Sequence, residues 1–405
     1  MSPDAQHAAD IAELPYPFAP PEGLEVHPRY RQLQADTPVC PVRMPYGDPA
    51  VLVTRYEDTR TVLGDSRFSR ATPPGNDQPR TTPDELPLGI MAMDPPEHTR
   101  MRRLLSATFS PRRAERQRPA TEALAGRLLD RMVETGPPAD LVTDYASPLA
   151  MGVICDLLGV PIKDREDFHR WAVAVAGGLG GEGVEERMES IATLATYMAE
   201  LIAQRRETPT DDLIGELTHT ADQGERLSEG ELIHLCMLLL VAGYETAASQ
   251  LGHCVHLLCT HPDQLALLRE RPELLPAAVE ELLRFTPLAV SGGYPRFATR
   301  DVDLGEGRVP EGTAVLTLVG VANRDPRVFD DPDRLDITRQ HNPHLAFGHG
   351  PHHCVGAALG RMQLRTALRL LLERLPDLRL ATDPGELTWK PNLLLRAHTK
   401  LPVAW

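Results

Sequence analysis

The sequence predicts a mainly α-helical protein that has a larger helical part and small β-sheets near both ends. Apolar residues recur with a helical period through most of the chain between residues 94 and 285. Short strand patterns bounded by glycine and proline stand outside this region, at about 49–54, 295–319 and 378–403. No internal repeat is visible, and residues 1–28 are proline-rich and predicted to be irregular.

Charge and composition exclude several classes of function. The formal net charge of −15 argues against a general nucleic-acid binder. The longest apolar run, 235–243, is much shorter than the roughly 20 residues of a membrane span. The acidic N-terminal residues lack the pattern of a signal peptide. Six cysteines without a CxxC pair fit a reducing compartment, so we expect a soluble cytoplasmic protein.

The first part of the chain predicts a strand at 49–54 and a helix at 56–63. A polar loop at 71–88 follows, of a length typical of functional or mobile loops. Asp94 is placed to cap a basic helix that continues to about residue 109. The glycine-rich run 177–183 predicts a flexible hinge between two helices. Further helices are predicted at about 115–135, 143–158, 164–176, 184–206 and 211–219.

The longest predicted element begins at a capping box formed by Ser228 and Glu231. One helical pattern then continues to about residue 259, which corresponds to about 48 Å. A helix of this length crosses a whole domain. The elements predicted after it are helices at about 262–270 and 273–285, and strands at 295–299, 302–304 and 313–319.

A loop at 347–356, with the sequence Phe-Gly-His-Gly-Pro-His-His-Cys-Val-Gly, is the strongest candidate for chemistry. Gly348, Gly350 and Pro351 predict a turn, and an apolar helical pattern follows Cys354 at once. The dipole at the start of a helix favours a thiolate there.

Three interpretations of this cysteine are open. A buried structural cysteine is the simplest. A zinc site is the second, although neighbouring residues cannot easily share one tetrahedron. The histidines that suggest zinc are His341, His344, His349, His352 and His353. A haem–thiolate site is the third.

The spacing Phe347-x-x-Gly350-x-His352-x-Cys354-x-Gly356 resembles the haem-binding loop of cytochromes P450 at every diagnostic position. The resemblance extends over essentially the whole chain and is similar above all to soluble bacterial members that tailor secondary metabolites, including macrolides. It implies one cytochrome P450 domain over 1–405 and haem b with Cys354 as the axial iron ligand. It also implies that Phe347 shields the sulfur, that Gly350 lets the backbone turn beneath the porphyrin, and that Gly356 lets the next helix approach closely.

Residues 242–246, Ala-Gly-Tyr-Glu-Thr, are unusual for the middle of a core helix. A glycine there costs about 1 kcal/mol relative to alanine. A kinked core helix would explain the segment if it stood alone. It resembles the oxygen-binding groove of the same family, which implies that Ala242 and Gly243 make room for O2 through a local widening. The resemblance also assigns Thr246 a hydrogen bond during oxygen activation and Glu245 the relay of protons.

Basic residues match the family contacts to the haem propionates. His98 and Arg102 lie four residues apart on one helix face, and Arg296 lies in a later strand. Alone, each would be a solvated charge. With His352, the resemblance implies charge-assisted hydrogen bonds to the propionate carboxylates.

Glu281 and Arg284 form an i,i+3 pair that would usually be an exposed ion pair. The resemblance implies a structural triad in which an arginine of the following meander joins them. Arg334 fits that position and would lock the meander behind the cysteine loop.

The resemblance implies an O2- and NAD(P)H-dependent monooxygenase that hydroxylates or epoxidises a small lipophilic natural product, a polyketide, macrolide or terpenoid. The chain shows no flavin or ferredoxin segment, so electrons are expected from a [2Fe–2S] ferredoxin and its flavoprotein reductase. A monomer without nucleic acid or membrane is expected. Oxidative coupling or desaturation, and a non-catalytic haem or ligand binder, are the alternatives.

Two surfaces follow from these expectations. A basic face near the thiolate side suits an acidic ferredoxin, or is simply solvated. It comprises Arg100, Arg103, Arg112, Arg113, Arg116, Arg361 and Arg365. An apolar pocket suits a lipophilic substrate, although its residues also fit a plain core. Its predicted lining is Leu88, Ile90, Met91, Val175, Leu179, Leu238, Ala242, Leu288, Ala289, Val290, Leu393 and Leu394.

Overall fold

A computed structural model describes residues 14–18, 23–83, 89–177, 184–222, 227–289, 291–391 and 395–405. Helices form most of this part, which confirms the predicted class. Prolines stand in the first turn of several helices, where a missing N–H costs nothing. The α-helices are α1 (Pro28–Asp36), α2 (Tyr56–Gly64), α3 (Glu97–Thr108), α4 (Pro111–Thr135), α5 (Ser147–Leu158), α6 (Arg165–Gly177), α7 (Val184–Glu207), α8 (Leu213–Asp222), α9 (Glu229–Thr260), α10 (Pro262–Glu270), α11 (Leu275–Phe285), α12 (Val319–Ala322) and α13 (Ala357–Arg374).

The strands are short. They are β1 (Leu14–Pro15), β2 (Val39–Arg43), β3 (Ala50–Val53), β4 (Phe68–Ser69), β5 (Ala139–Asp140), β6 (Arg296–Ala298), β7 (Val302–Leu304), β8 (Gly307–Val309), β9 (Ala314–Thr317), β10 (Arg379–Leu380) and β11 (Pro402–Ala404).

The main sheet joins strands from the two ends of the chain. Its order is β1-β2-β3-β9-β6-β4. β3 pairs in parallel with β9, with Ala50 opposite Ala314 and Val53 opposite Thr317. The prediction of small sheets built from the two end regions of the chain is therefore confirmed, whereas the pairing of β3 with β9 was not predicted, because a strand pattern indicates a strand but not its partner. A three-stranded sheet, β10-β11-β5, and the hairpin β7-β8 complete the strands.

Helix α9 separates two apolar cores. Its first half packs with α5, α7 and α8 in one core, and its second half packs with α4, α11 and α13 in another. Its start is the predicted capping box, in which Ser228 N–H donates to a Glu231 carboxylate oxygen (2.7 Å) and Glu231 N–H donates to Ser228 Oγ (3.2 Å). Residues 241–247 include one buried residue, Tyr244, which belongs to the first core. The other six residues of this stretch are half-buried or exposed.

Among the described residues, α9 has the length and apolar character that a membrane-crossing helix needs. In this structure it packs against other helices, as the core helix of a water-soluble domain also does.

Asp94 does not cap α3 as predicted. Pro96 occupies the cap position and no side chain caps the helix. The Asp94 carboxylate instead accepts hydrogen bonds from the Ser69 hydroxyl and from Arg70 N–H (2.9 Å). The side chain therefore ties the start of α3 to the end of β4.

The predicted loop 71–88 is only partly described, because residues 84–88 lie outside the described residues. Residues 178–183 of the predicted hinge also lie outside them. Residues 71–83 are fastened to the turn after β2. Arg80 and Tyr46 exchange backbone hydrogen bonds of 3.0 and 3.2 Å, and Asp48 N–H donates to Asp77 O at 2.9 Å.

Candidate active site

The cysteine loop is a tight turn stacked on the end of α2. Cys354 N–H donates to Phe347 O at 2.8 Å, and His353 N–H donates to Gly350 O at 3.0 Å. Gly350 has a φ of +72°, and a Cβ there would lie 2.6 Å from the Gly64 Cα. The backbone conformation and the contact with α2 both require glycine at this position.

The Cys354 side chain is exposed in the cysteine loop. Surrounding protein nevertheless desolvates the thiol and raises its pKa. The Gly356 backbone N–H, Arg102 and Arg361 lower that pKa in opposition. A Cβ on Gly356 would lie 3.9 Å from the sulfur, an ordinary contact distance, so no protein contact requires glycine there. An accessible sulfur that neighbouring protein atoms partly desolvate is suited to bind a ligand at this position.

Phe347 packs against α13 beside the cysteine loop. The Arg361 guanidinium lies over its ring at 4.5 Å, and a Cβ on Gly360 of α13 would lie 3.7 Å from the ring atom Cε1. The aromatic ring is partly buried against the core that contains α13. The backbone of Phe347 is bound to Cys354, and the predicted shielding of the sulfur by its ring stays a prediction.

The predicted propionate-binding residues lie together. The His98 and His352 rings stack with centroids 3.9 Å apart. Arg102 donates to the His353 carbonyl, one residue from Cys354. Arg296 is almost completely buried, and its Nε and Nη2 make no hydrogen bond to any described residue.

Arg70 joins this cluster and was not predicted. Its Nη1 donates to Tyr294 O at 2.9 Å, while Nε lacks a hydrogen-bond partner among the described residues. It stands in the loop after β4, where neither periodicity nor a motif singles it out. Only the tertiary structure places it beside Arg296.

The cluster is electrostatically incomplete. Burial lowers the pKa of Arg70 to about 10 and that of Arg296 to about 9. Burial, helped by neighbouring cations, lowers the pKa of His352 to about 3. Asp94 is the carboxylate that acts on all three, and it already accepts hydrogen bonds from β4. Buried arginine nitrogens without partners fit the carboxylates of a cofactor such as haem.

Thr246 and Ala242 lie on the incompletely buried stretch 241–247 of α9. The Thr246 hydroxyl donates to the Ala242 carbonyl oxygen at 2.5 Å. Ala242 is exposed although the helix is central. The helix continues without a break from 229 to 260, and the local widening expected from the resemblance stays a prediction. The side of Gly243 is taken up by Ile154, whose Cδ1 would lie 3.0 Å from a Cβ, so this glycine allows α5 to pack closely.

Glu245 forms an ion pair that the sequence analysis did not predict. Lys390 Nζ donates to Glu245 Oε1 at 2.7 Å. The glutamate side chain is 15% exposed and the lysine side chain 40%. The chain contains three lysines, and no motif or spacing in the sequence singles out Lys390 as the partner of Glu245.

The triad of Glu281, Arg284 and a meander arginine is present with a different third member. Arg284 donates to both carboxylate oxygens of Glu281, at 2.7 and 2.8 Å. Arg339 Nε donates to Glu281 Oε2 at 3.1 Å. The assignment of Arg334 is wrong, because its side chain is exposed and only its carbonyl oxygen accepts from Arg284 (3.3 Å).

The predicted pocket residues are partly gathered. Leu238 on α9 faces the 3-10 turn Gly89–Ala92, which holds Ile90 and Met91. Val175 on α6 packs against the same core as Ile90. Leu288 O accepts from Arg396 N–H, and Ala289 forms a bridge with Leu395. The remaining predicted residues, Leu88, Leu179, Val290, Leu393 and Leu394, lie outside the described residues.

A cleft of about 570 Å³ opens elsewhere, between α6 and α7. Its lining includes His169, Trp171 and Glu189, and none of the predicted pocket residues. The residues that carry the candidate chemistry are therefore not at this cleft.

Most of the predicted basic face is neutralised by neighbouring carboxylates. Arg113 pairs with Glu216 and Asp211, and Arg116 pairs with Asp211. Arg100 pairs with Glu231, and Arg361 and Arg365 both pair with Glu280. Arg112 is exposed at the start of α4.

The histidines near Cys354 have separate partners. His344 contacts Glu280 (3.1 Å), His352 stacks on His98, and His349 lies against Gly64. In the described ranges no group of three or more His, Cys, Asp or Glu side chains is arranged to hold a metal ion. This geometry gives the zinc interpretation no support.

A family model described as Cytochrome P450 matches residues 181–386. Curated relatives 40–48% identical to the chain cover more than nine tenths of it. The chain belongs to the cytochrome P450 family, whose members bind haem iron through a cysteine thiolate and use O2.

The chain is similar to the mycinamicin IV hydroxylase/epoxidase of Micromonospora griseorubida, with 48% identity over 96% of this chain and 98% of that protein. It is 47% identical to the nocardicin C N-oxygenase of Nocardia uniformis subsp. tsuyamanensis, again over 96% and 98%. Among solved structures, the LnmA hydroxylase of the leinamycin pathway from Streptomyces atroolivaceus S-140 has 50% identity, 97% and 100% coverage and a TM-score of 0.92. A cytochrome P450 with biaryl coupling reactivity has 42% identity, 95% and 98% coverage and a TM-score of 0.88. The chain is thus an oxidoreductase of the monooxygenase class.

Proposed function

We propose that the protein is a single-domain haem–thiolate monooxygenase in which Cys354 is the iron ligand. The observation that carries the assignment is the accessible Cys354 sulfur on the same loop as His352, next to which lie buried arginine nitrogens without a hydrogen-bond partner. Arg296, Arg70, Arg102, His98 and His352 would hold the propionates. When bound, haem supplies the redox chemistry that inserts one oxygen atom from O2 into a C–H or C=C bond.

The protein's own residues would supply protons and exclude water. Thr246 presents a hydroxyl on a half-buried position of α9. Glu245, the preceding residue, carries the carboxylate closest in sequence and takes the role of relay acid. Phe347 covers the thiolate side. Arg102 and Arg361, whose charges lower the Cys354 pKa, favour the ionised sulfur.

The substrate is proposed to be a lipophilic natural product of the polyketide or macrolide type, with a terpenoid as the next class. Support comes from the apolar character of Ile90, Met91, Leu238 and Leu288 and from the mycinamicin hydroxylase/epoxidase relative. The test is turnover of the haem-loaded protein with isotopically labelled O2 and a panel of macrolides, other polyketides and terpenoids. A product one labelled oxygen atom heavier is expected. The absence of oxygenated product across the panel would contradict the proposal.

Oxidative coupling or desaturation is a second candidate, supported by the similar cytochrome with biaryl coupling reactivity. The same experiment separates the two. Coupling within one molecule or desaturation gives a product two hydrogens lighter, without the label from O2.

Electrons are proposed to come from NAD(P)H through a flavoprotein reductase and an acidic [2Fe–2S] ferredoxin in the cytoplasm, with the protein acting as a monomer. Because most arginines of the predicted face are paired, Arg112 is the best candidate for direct contact. Arg112→Glu is expected to raise the ferredoxin concentration needed for half-maximal NADPH oxidation at low salt, and less so at high salt. Arg300→Glu, at an exposed arginine after β6, is the matched control. Equal effects of the two variants would contradict this docking face.

A further inference from the structure

Two segments near the C-terminus pair beside α9. Lys390 N–H donates to Ala397 O at 2.8 Å, and Thr399 N–H donates to Thr388 O at 2.8 Å. Trp389 and His398 form the bridge between them. We call residues 388–390 and 397–399 the C-terminal pair. Its backbone hydrogen bonds fix Lys390 relative to His398.

Stacked aromatic rings fasten the C-terminal pair to α9. The Trp389 and His398 rings lie 4.1 Å apart, and the Arg396 guanidinium lies over the Trp389 ring at 4.1 Å. His398 Nε2 is 2.9 Å from His256 Nδ1 on α9. His256 and His398 are both almost fully buried, so this anchor lies inside the protein.

The anchor and the relay acid share one face of α9. His253 and His256 follow Glu245 by 8 and 11 residues, which is roughly two and three helical turns. His253 is completely buried and also contacts the Trp389 and His398 rings, with centroids 5.9 and 5.2 Å away. A pair anchored at His253 and His256 has its Lys390 end directed to Glu245, where the 2.7 Å ion pair forms.

The ion pair fixes one oxygen of Glu245. Oε1 accepts from Lys390, and the glutamate side chain is 15% exposed, so competing water has limited access to it. A charge-assisted hydrogen bond in such a place is stronger than one at the surface. The lysine side chain is 40% exposed and reaches solvent.

We propose that Lys390 is a positioning residue for Glu245, held in place by the C-terminal pair, and that it sets how efficiently protons reach the active site. This inference rests on the proposed role of Glu245 as relay acid. It concerns Lys390 alone among the chain's three lysines, because Lys163 and Lys400 are exposed elsewhere.

Proton supply can be measured without knowing the substrate. Without substrate, NADPH, a proton and O2 give NADP+ and hydrogen peroxide; with two NADPH and two protons per O2, the product is two water molecules. Slower proton delivery favours peroxide. The assay uses the haem-loaded protein with a plant-type ferredoxin and its reductase, and measures NADPH consumed and peroxide released in H2O and in D2O.

The variants are Lys390→Gln, Lys390→Arg, Glu245→Gln and the double Glu245→Gln/Lys390→Gln, with Lys163→Gln as the exposed control. Lys390→Gln is expected to raise the ratio of peroxide to water about tenfold and to increase the solvent isotope effect, within the roughly hundredfold or more that a positioned acid contributes. Lys390→Arg, which keeps the positive charge, is expected to change the ratio of peroxide to water much less than Lys390→Gln does. In the Glu245→Gln background, Lys390→Gln is expected to raise this ratio no further.

A double-mutant cycle in urea unfolding provides a readout that does not depend on turnover. The sum of the midpoint shifts of Lys390→Gln and Glu245→Gln is expected to exceed the midpoint shift of the double variant. Additive effects on both the midpoint and the peroxide ratio would overturn the inference. If Glu245→Gln changes the ratio of peroxide to water and Lys390→Gln does not, the role of Lys390 is overturned, while Glu245 remains the relay acid. If Glu245→Gln leaves the ratio of peroxide to water unchanged, the roles of both Lys390 and Glu245 are overturned.

Discussion

Replacement of Arg339 by alanine tests which meander arginine holds the region behind the cysteine loop. Glu281 is completely buried, and its carboxylate accepts five hydrogen bonds. Two come from Arg284, and single bonds come from Arg339 Nε (3.1 Å), Asn342 Nδ2 (3.1 Å) and Asp336 N–H (3.0 Å). The carboxylate therefore depends on two arginines, of which Arg339 can be removed without leaving the charge alone.

The expected cost of Arg339→Ala follows from the bonds it loses. The charge-assisted bond to Glu281 is worth about 1.5–3 kcal/mol. The bond from Arg339 Nη1 to Asp330 O, 2.8 Å long, adds about 1 kcal/mol. Arg284 still neutralises Glu281, so the sum stays near or below the roughly 3–5 kcal/mol for a buried charge that loses its partner. We expect a loss of about 3 kcal/mol.

Arg334→Ala is the matched control. Its side chain is exposed and its carbonyl oxygen survives the substitution, so the change should stay within about 0.5 kcal/mol. The assay is urea unfolding of the haem-loaded protein followed by circular dichroism. A destabilisation by Arg334→Ala as large as that by Arg339→Ala would refute the reasoning.

Three further results are expected. Gly350→Ala should abolish haem incorporation, whereas Gly348→Ala should weaken it less, and the haem content per protein measures both effects. Both glycines have a positive φ, but only a Cβ at residue 350 collides with backbone, 2.6 Å from Gly64 Cα. Burial lowers the pKa of His256 to about 4 and that of His398 to about 3, so their contribution to stability is complete above the unfolded pKa of about 6.5 and is lost as pH falls toward 4 and 3. These two groups should make the free energy of unfolding, measured in urea, up to about 4 kcal/mol smaller at pH 5 than at pH 7. Equal free energies of unfolding at the two pH values would contradict the burial of both histidines in the neutral form. Arg296→Leu should speed the transfer of haem to apomyoglobin, and it should also stabilise the haem-free protein. The substitution removes a buried charge, two of whose nitrogens lack a hydrogen-bond partner. Faster haem loss without a more stable haem-free protein would contradict the assignment of the cluster to the propionates.

Local patterns in the sequence predicted what is local in the structure. The capping box at Ser228 and the helices α9 and α10 agree with the prediction because caps and periodicity are encoded in neighbouring residues. The pairing of β3 with β9 joins strands more than 250 residues apart, and no pattern within either strand specifies the other.

The site shows the same division. The cysteine loop and the His98–Arg102 pair were found from spacing, and the structure gathers them. Arg334 and Arg339 both lie in the meander, and only side-chain direction decides that Arg339 reaches Glu281. Arg70 and Lys390 enter the site through tertiary contacts with Tyr294 and Glu245, so sequence spacing could not identify them.

The ferrous–CO difference spectrum of the haem-loaded protein tests the assignment of Cys354 most directly. Wild type and Cys259→Ala, a control at a half-buried cysteine on α9, are predicted to show the red-shifted Soret band after which the family is named. Cys354→Ala is predicted to lose that band even where haem is retained. A band that survives in Cys354→Ala, or is missing from the wild type, would contradict the assignment.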